Sequence, residues 1–445
     1  MTTISFYTLG CRLNQSETAV VQRTFETSDY KVVDISEPAD VVVINTCTVT
    51  ENGDADTRRL VNKVNRINPK SKIALIGCQA QIQKEKLTEM TNVKWVVGNA
   101  KKMNIKSIIE EFADSAQPQV ITPTIPRESF TIPLAGIDRD HTRANIKIQD
   151  GCDFFCSFCE IPYARGRARS REFDDILLEV KALVAAKHKE IVITGINVGT
   201  YANANKTLLD VISALEQIDG LERIRISSIE PTTIPTELFK KMAQKTKLCR
   251  YLHIPVQSAN DHMLSAMKRK YNFQEFSRFI QTAYDIVPEI CIGTDVIVGF
   301  PGETEEHFQE SMDRLRDAPI HYFHVFSYSK RHLAKSQNLT DEIPIQVKQH
   351  RSKLLRDLSQ RKRLMHFKSL LGSTQRVLFE QKKEGLWSGL TDNYVRVAVA
   401  SHENLENQLR SVRLVKISDA CIQGVMIENE ENTSAYLYNF NHTSV

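Results

Sequence analysis

The sequence predicts an α/β protein that begins with a doubly wound parallel sheet, continues with a partial (β/α)6 barrel and ends with a small all-β barrel. Short runs rich in Val and Ile alternate with amphipathic stretches before residue 100, and the alternation resumes on a larger scale from residue 144. Buried parallel strands separated by helices have this pattern. After Gly372 the pattern changes to short alternating strands with turn residues between them, which is typical of a β-barrel of OB-like size.

The composition is that of an ordinary globular protein in a reducing compartment. The 445 residues are 41% hydrophobic and 25% charged, and the net charge of +4 is too small to attract nucleic acid through the bulk field. The nine cysteines are an odd number, six of them fall into two sets of three, and a reducing compartment favours metal sites over disulfides. The sequence contains no apolar run of membrane-spanning length and no basic leader, so we expect a cytoplasmic protein without a membrane partner.

Three cysteines lie where predicted strands of the first domain end. Strands are predicted at residues 4–9, 41–45, 73–77 and 93–97, with helices at 15–26, 54–67 and 81–90. Cys11, Cys47 and Cys78, which we call the sheet triad, follow the first three strands. Because the carboxyl ends of parallel strands share one rim of a sheet, the three thiols are expected to meet in space. They are either small residues that end strands or a three-thiolate cluster site.

Prolines mark the predicted domain boundary. Pro118, Pro123, Pro126 and Pro133 break helices and disfavour a central strand. We therefore predict a first domain at residues 1–100, a linker at 101–140, a second domain at 141–370 and a third at 371–440.

The second domain is predicted to be a partial (β/α)6 barrel. Its strands are expected at residues 144–149, 190–194, 223–228, 250–256, 290–298 and 321–328, with helices at 174–186, 207–217, 236–244, 273–284 and 305–317. The chemistry of such barrels lies on the loops that follow the strands.

The loop after the first barrel strand carries Cys152, Cys156 and Cys159, which we call the loop triad, without a fourth cysteine nearby. A structural zinc site uses four ligands, whereas three thiols at this spacing can hold three irons of a four-iron cluster and leave the fourth open. The spacing favours an iron–sulfur site and leaves zinc as the alternative. The remaining cysteines, in or beside strand-like runs, are interpreted as core residues: Cys249, Cys291 and Cys421.

Two further barrel strands carry groups that suit a cofactor. Gly195 and Asn197 follow the second strand, where glycine permits close approach of a ligand and the carboxamide offers a donor and an acceptor. Asp295 lies in the fifth strand, where its carboxylate could accept hydrogen bonds from ribose hydroxyls. Each motif also fits an ordinary strand.

Basic residues after the cysteine loop and near the end of the second domain are candidate nucleic-acid contacts. Arginines occupy alternate positions from 165 to 171, and residues 348–368 carry eight basic residues against one acid. Both patterns suit phosphates, and both also occur on solvated surfaces. The RNA contacts we predict are Arg165, Arg167, Lys348, Arg351, Arg361, Lys362 and Arg363.

Taken together, these motifs resemble the radical S-adenosylmethionine methylthiotransferases over nearly the whole chain. The segment Leu9-Gly10-Cys11-Arg12-Leu13-Asn14-Gln15 resembles the family's opening motif, and the loop triad resembles its CxxxCxxC loop. The motifs at 227–231 and 253–258 and the Asp295 strand fall where the family has strand-end motifs. The C-terminal barrel is similar to a TRAM domain, an RNA-binding module.

The resemblance implies two [4Fe-4S] clusters and S-adenosylmethionine, which serves as radical source and as methyl donor. The loop-triad cluster is expected to bind S-adenosylmethionine and cleave it to a 5′-deoxyadenosyl radical, and the sheet-triad cluster to carry the sulfur that is methylated and transferred. Gly195, Asn197, Gln257 and Asp295 are expected to line the cofactor pocket. The expected partners are the anticodon arm of tRNA, an electron donor such as flavodoxin or ferredoxin, and a sulfur source.

Within the family, residues 10–15 and 228–231 most resemble the branch that adds a methylthio group to C2 of N6-threonylcarbamoyladenosine at position 37 of tRNA. Adenine C2 carries an unactivated C–H bond, which requires a radical instead of a base. The alternatives are N6-isopentenyladenosine-37 of tRNA, an aspartate of a ribosomal protein and, in a different class, a non-catalytic iron–sulfur RNA-binding protein.

Two positions depart from the family's pattern. Ala259 stands where the family usually has glycine after Gln-Ser, and His332-Leu333-Ala334 replaces the usual glycine and threonine after the last barrel strand. We expect the second departure, which closes the last barrel strand near the substrate side, to affect substrate geometry and not the clusters.

Overall fold

The computed structural model describes residues 1–26, 28–49, 51–133, 142–244, 246–418 and 421–427, with residues 51 and 52 described by their backbone only. Parts of two predicted regions, 134–140 of the linker and 428–440 of the third domain, therefore lie outside the described residues. The domain boundaries proposed from the sequence stay predictions.

The first sheet is parallel, with the strand order β2-β1-β3-β4-β5-β6. Its strands are β1 (Thr2–Thr8), β2 (Tyr30–Val32), β3 (Val41–Thr46), β4 (Lys72–Gly77), β5 (Val93–Val97) and β6 (Gln119–Ile121). Its helices are α1 (Arg12–Glu26), α2 (Glu51–Ile67), α3 (Cys78–Ile82), α4 (Lys84–Thr88) and α5 (Ile105–Glu111).

Helices cover both faces of this sheet, as the doubly wound prediction requires. Residues of α1 and α5, such as Phe25 and Ile109, pack with Val43 on one face. Residues of α2 and α4, such as Val64 and Leu87, pack on the other face. The strand order reverses between β1 and β3, and ligands of such sheets bind at this point.

Residues 101–140 differ from the expected linker, because they contain α5 and β6. Ile105, Ile108 and Ile109 are buried in the first core, and β6 adds an edge strand beside β5. Pro118 and Pro123 flank this strand instead of interrupting it, and edge strands tolerate such neighbours.

The second domain has the predicted strands in two parallel groups, β13-β10-β7 and β14-β15-β16. Single bridges, among them Ser228 to His253, join β13 to β14, so that the groups form a partial barrel. The barrel strands are β7 (Arg143–Lys147), β10 (Glu190–Thr194), β13 (Arg223–Ile226), β14 (Tyr251–His253), β15 (Cys291–Val298) and β16 (Tyr322–Ser327), and short strands outside the barrel are β8 (Gln149–Asp150), β9 (Arg169–Ser170), β11 (Ala202–Asn203) and β12 (Lys206–Thr207). The helices are α6 (Ile161–Arg165), α7 (Phe173–Ala185), α8 (Leu208–Glu216), α9 (Glu237–Ala243), α10 (Asp261–Ala266), α11 (Phe273–Ile286), α12 (Glu305–Asp317) and α13 (Ile345–Leu370).

The third part is a closed β-barrel in the order β17-β18-β19-β21-β20, as predicted. Its strands are β17 (Thr374–Lys383), β18 (Leu386–Thr391), β19 (Arg396–Ala400), β20 (Leu409–Ser418) and β21 (Cys421–Met426). Phe367 and Leu370 at the end of α13 belong to its core, so the helix leads directly into the barrel.

Arginines of the central barrel hold the β18–β19 turn of the C-terminal barrel. Arg225, fully buried, pairs with Glu190 at 2.7 Å and donates to the carbonyls of Asp392 (2.9 Å) and Thr391 (3.0 Å). Arg250 pairs with the carboxylate of Asp392 at 2.7 Å. The C-terminal barrel is therefore docked through buried charge and not carried on a free tether.

Across the described ranges, no helix combines the length and the apolar character that a membrane crossing requires.

We predict that Arg225→Ala strongly destabilises the protein. The substitution removes the hydrogen-bonded partner of the buried Glu190 carboxylate, which keeps only the more distant Arg223 at 3.6 Å, and leaves two carbonyls without their donor. Breaking a buried pair costs about 3–5 kcal/mol. Urea unfolding measures the change. Arg376→Ala is the control, since Arg376 pairs with Glu222 on the surface and its loss is expected to change the free energy of unfolding by less than about 0.5 kcal/mol. Equal stability of the two variants would contradict the docking described here.

Candidate functional site

A cavity of about 620 Å³ lies between the first sheet and the central barrel. Pockets of this size hold nucleoside-sized ligands. The first sheet contributes the sheet triad and residues 10–15, the central barrel contributes Gly195, Ser228, His253 and Asp295, and the C-terminal barrel contributes Tyr394. Residues from all three parts of the chain therefore share one space.

The sheet triad meets at the rim of the first sheet, as expected from its position at strand ends. Cys11 follows β1, Cys47 follows β3 and Cys78 begins α3 after β4. Gly10 is required here, because its φ is 91° and a Cβ atom would lie 2.6 Å from the Sγ atom of Cys47. Asn14 ties the loops together by donating to the carbonyls of Leu9 and Thr46.

In the sheet triad, burial and neighbouring cysteines raise the pKa of two thiols, those of Cys11 and Cys47. Burial and the neighbouring Cys78 raise the pKa of Cys47 to about 12. Cys11 is solvent-accessible because it faces the cavity, yet the surrounding protein excludes enough bulk water to raise the pKa of its thiol. Metal binding releases such protons, since thiolates and not thiols are the ligands.

A buried network of charges joins the sheet triad to the central barrel. Arg165 donates through Nε to the Sγ atom of Cys78 at 3.2 Å, and its guanidinium pairs with Glu17 and with Asp150, each at 3.0 Å. Glu17 also pairs with Lys147 at 2.7 Å and with Lys102. All of these side chains are buried. The network spans α1 of the first sheet and β7, β8 and α6 of the barrel.

The prediction that Arg165 contacts RNA is therefore wrong. Its side chain is fully buried and its guanidinium already has acidic partners. Arg171 of the same alternating run is also fully buried, where it pairs with Asp175 and Glu179. Arg167, by contrast, is exposed beside Asp153 and stays a candidate.

The loop triad lies between β8 and α6. Burial raises the pKa of Cys152 to about 11, although the backbone N–H of Phe154 opposes the shift. Burial and the neighbouring Cys156 raise the pKa of Cys159 further. The three thiols therefore oppose one another's ionisation until a metal is bound.

Arg269 contacts the loop triad, a contact that the sequence interpretation missed. Its Nη1 atom donates to the Sγ atom of Cys156 at 3.4 Å, and its Nη2 atom pairs with Glu230. Burial raises the pKa of Glu230 even though Arg269 opposes the shift. Glu230 belongs to the motif at residues 227–231, to which the resemblance gave no role. This motif was the signal in the sequence that could have led to the contact between Arg269 and the loop triad.

The spread of both triads suits clusters of several irons better than single zinc ions. Sulfur atoms about 2.3 Å from one tetrahedral zinc lie roughly 3.8 Å from each other. In the part of the chain that the structure describes, the group of three candidate ligands whose atoms all lie within 4.8 Å of one another is His253, Asp295 and His324, and neither triad is so compact. A four-iron cluster separates its thiolates more widely.

The four residues predicted to bind the cofactor occupy four different settings. Gly195 lines the large cavity, whereas Gln257 lines a smaller one of about 150 Å³ beside Phe158 of the cysteine loop. Asp295 lines both cavities and pairs with His253 at 2.9 Å. Asn197 lines neither; it is buried, its Oδ1 atom accepts from Thr233, and its Nδ2 atom has no hydrogen-bond partner among the described residues.

Two of the basic residues predicted on α13 are also structural, which corrects a second part of the RNA prediction. Arg351 is 4% exposed and pairs with Glu303 at 2.7 Å. Lys362 is 7% exposed and donates to the carbonyls of Arg316 and Ala318. Arg361 and Arg363 are exposed, and Lys348 is half-buried against Tyr328.

The segment after β16, which begins with Arg331 and continues into the departure at residues 332–334, clamps the cysteine loop to the first sheet. Arg331 donates to Glu160, which follows Cys159, and to Thr48 and Asp54 of the first domain. The backbone N–H of Leu333 donates to Glu160 at 2.9 Å. The segment thus holds the cysteine loop, and Ala259, the other departure, is fully buried.

Comparison with known proteins agrees with this architecture. Residues 146–315 match the radical SAM superfamily, and residues 3–98 match the uncharacterized protein family UPF0004. The chain is 34% identical to a threonylcarbamoyladenosine tRNA methylthiotransferase of Aquifex aeolicus, over 92% of this chain and 99% of that protein. It is 34% identical to the protein of the same name from Bacillus subtilis, over 94% of each chain. It is 33% identical to a tRNA-2-methylthio-N(6)-dimethylallyladenosine synthase of Dehalococcoides mccartyi, over 96% of this chain and 99% of that protein.

Solved structures share the fold at low identity. The radical S-adenosylmethionine methyltransferase TsrM from Kitasatospora setae, with cobalamin and a [4Fe-4S] cluster bound, matches with a TM-score of 0.56 at 17% identity, over 74% of this chain and 75% of that chain. The cobalamin-dependent S-adenosylmethionine radical enzyme OxsB matches with a TM-score of 0.51 at 11% identity, over 80% of this chain and 56% of that chain.

We predict that the Glu17 network makes stability depend on pH. Burial alone would raise the pKa of Glu17, but Arg165, Lys102 and Lys147 hold it well below its usual range. A lowered pKa in the folded state gives stability that is present above the unfolded pKa of about 4.3 and is lost as the pH falls toward the folded value. Glu17→Gln should therefore be less stable than the unmodified protein at pH 7 by about 3–5 kcal/mol, and the difference should shrink below about pH 4.3.

Urea unfolding of metal-free protein at several pH values measures this difference. Glu111→Gln is the control, because Glu111 is exposed and is not among the groups that shift the pKa of Glu17. A difference between Glu17→Gln and the unmodified protein that stays constant with pH would contradict the role of the ionised carboxylate.

Proposed function

Because the chain belongs to the radical S-adenosylmethionine methylthiotransferases, we propose that it adds a methylthio group to C2 of N6-threonylcarbamoyladenosine at position 37 of tRNA. The observation that carries this proposal is the shared cavity, onto which the sheet triad and the rim of the central barrel both open. A transferase that moves sulfur to an unactivated carbon needs its sulfur donor and its radical source next to one substrate.

Both triads fit clusters with an open iron, because each offers three thiols and neither has a fourth cysteine beside it in the sequence. When bound, the loop-triad cluster supplies the reductive cleavage of S-adenosylmethionine, and the sheet-triad cluster supplies the sulfur that is transferred. The chain itself fixes the position of the two triads relative to each other through the Glu17 network and the contacts of Arg331. Arg165 and Arg269 donate hydrogen bonds to one sulfur atom of each triad and thereby favour thiolate.

We propose that Gly195, Asn197, Gln257 and Asp295 surround S-adenosylmethionine. Gly195 lines the large cavity, and Asp295 offers a carboxylate on the wall common to both cavities. Asn197 carries an unpartnered buried amide, which a bound ligand would satisfy. Gln257 lines the smaller cavity together with Phe158 of the cysteine loop, and this position suits contact with the part of the cofactor nearest the loop triad.

For tRNA we propose contacts by the exposed members of the basic set, Arg167, Arg361 and Arg363, and by the half-buried Lys348. The C-terminal barrel packs against the end of α13 and is proposed to contribute further contacts. We further propose that the protein acts in the cytoplasm, receives electrons from a flavodoxin or ferredoxin, and draws replacement sulfur from a separate donor.

A second substrate, N6-isopentenyladenosine, is favoured by the likeness to the dimethylallyladenosine synthases of Dehalococcoides mccartyi. Mass analysis of tRNA nucleosides from a deletion strain separates the two. Loss of 2-methylthio-N6-threonylcarbamoyladenosine supports the proposal, and loss of the isopentenyl product instead would overturn it.

We predict that single cysteine variants separate the two sites. Cys156→Ala should abolish both 5′-deoxyadenosine formation and methylthio transfer, because the loop triad loses a ligand. Cys78→Ala should retain 5′-deoxyadenosine formation and lose methylthio transfer. Both products are measured by mass spectrometry after anaerobic reduction.

The control for these variants is Cys421→Ala, because Cys421 lies in β21 of the C-terminal barrel and belongs to neither triad. It should keep both reactions. Methylthio transfer by Cys78→Ala would rule out the sheet triad as the sulfur site.

We also predict that Arg361 and Arg363 contribute to the salt dependence of tRNA binding. Each phosphate contact contributes about 0.7–0.9 to the magnitude of the slope of log K against log salt, so the double variant Arg361→Gln/Arg363→Gln should reduce that magnitude by about 1.4–1.8. Fluorescence anisotropy at several salt concentrations measures this slope. Arg278→Gln, an exposed arginine on α11, is the control, and an unchanged slope in the double variant would remove α13 from the RNA surface.

A further inference from the structure

The two candidate substrates differ most at the end of the N6 substituent. The threonylcarbamoyl group ends in a carboxylate, whereas the isopentenyl group is a hydrocarbon. A site that offers a charged partner to one substrate leaves that partner unpaired with the other, and such a site discriminates strongly. A cation that faces the cavity without an acidic partner would therefore identify the substrate.

The cavity wall contains two arginines in the described part of the chain, Arg12 and Arg165, and no lysine. Arg165 is neutralised by Glu17 and Asp150. Arg12 is different: within the described ranges its one hydrogen bond goes from Nη2 to the hydroxyl of Tyr394 at 3.1 Å, and no carboxylate lies within ion-pair distance. Asp295, the acid on the same wall, pairs with His253.

Arg12 is held in place by the C-terminal barrel. Tyr394 has a φ of 65°, which is rare for a side chain of this size, and its ring stacks on Tyr251 with centroids 4.1 Å apart. Arg225 lies 5.5 Å from the centre of the Tyr394 ring and binds the turn that precedes it. A strained residue held from several sides is typical of a ligand site.

The other charged groups around this end of the cavity have partners of opposite charge or are held neutral. Tyr251 and Tyr322 share a hydrogen bond of 2.6 Å, and burial raises the pKa of both phenols. Burial and the nearby His253 lower the pKa of His324. Asp295 pairs with His253, Arg165 with Glu17 and Asp150, and Arg225 with Glu190. Among the described residues that line the cavity, Arg12 is therefore the arginine left to pair with an anionic ligand.

We propose that Arg12 binds the carboxylate of the threonylcarbamoyl group and thereby selects this substrate over N6-isopentenyladenosine, an inference that rests on the function proposed above. The bound carboxylate satisfies a guanidinium that is half-buried and lacks an acidic partner. Because Arg12 adjoins Cys11, the same contact places the modified adenine beside the sheet triad.

The test compares two anticodon stem-loop RNAs on the same protein sample, one with N6-threonylcarbamoyladenosine and one with its carboxylate converted to a carboxamide. Binding is measured by fluorescence anisotropy and methylthio transfer by mass spectrometry. The unmodified protein should prefer the carboxylate by about 10- to 100-fold, as expected for a charge-assisted hydrogen bond. Because the preference is a ratio from one sample, changes in folding or iron content cancel.

The variants then assign the preference to one side chain. Arg12→Gln should reduce the ratio to within about threefold of unity, and Arg12→Lys should keep part of it because the charge remains. Arg59→Gln, an exposed arginine of α2, is the matched control and should keep the full ratio. A ratio that Arg12→Gln leaves unchanged, or an unmodified protein without any preference for the carboxylate, would overturn the inference.

Failure of the inference can be told apart from failure of the proposed function. If the unmodified protein transfers the methylthio group to the isopentenyladenosine stem-loop and not to the threonylcarbamoyladenosine one, the proposed function is wrong. If it modifies the threonylcarbamoyladenosine stem-loop and Arg12→Gln keeps the carboxylate preference, the assignment to Arg12 alone is wrong.

Discussion

The structure depends on the buried pairing of Glu17 with Arg165, Lys147 and Lys102. A carboxylate in the protein interior is costly to desolvate, and three cations from different segments compensate it. Lys102 lies beside the first sheet, whereas Lys147 and Arg165 lie in the barrel domain. The pairing with Glu17 therefore fixes the position of the first sheet relative to the barrel. The same arginine donates to Cys78, so the position of one triad and the contact between the domains have a common cause.

The parts of the site that follow from chain periodicity were predictable from the sequence. Strands rich in Val and Ile were located almost to the residue, and the positions of Cys11, Cys47 and Cys78 after them placed the thiols on one rim. The edge strand β6 was missed because three residues between prolines carry too little pattern. Strand runs and the residues that follow them are defined by neighbours in the sequence, so the sequence alone can locate them where the run is long enough.

The basic residues were harder to interpret because their partners are distant in sequence. Arg165 alternates with Arg167 and looks equally suited to phosphate, yet Glu17, 148 positions away, makes it structural. Arg351 and Lys362 of α13 are likewise satisfied by groups of the barrel domain that no helical pattern identifies. Arg12 is the opposite case, since a residue quoted only as part of a motif proves to face the cavity without an acidic partner.

The contact between Arg12 and Tyr394 joins residues 382 positions apart. A ribosome that adds about 5–20 residues per second needs roughly 20–80 seconds to make the intervening chain. The thiols of the first sheet are complete as a set once residue 78 has been made, long before the last wall of the cavity exists. During synthesis these thiols therefore stand beside a cavity that lacks the wall later supplied by Tyr394, and they are more open to iron delivery and to oxidation than in the finished protein.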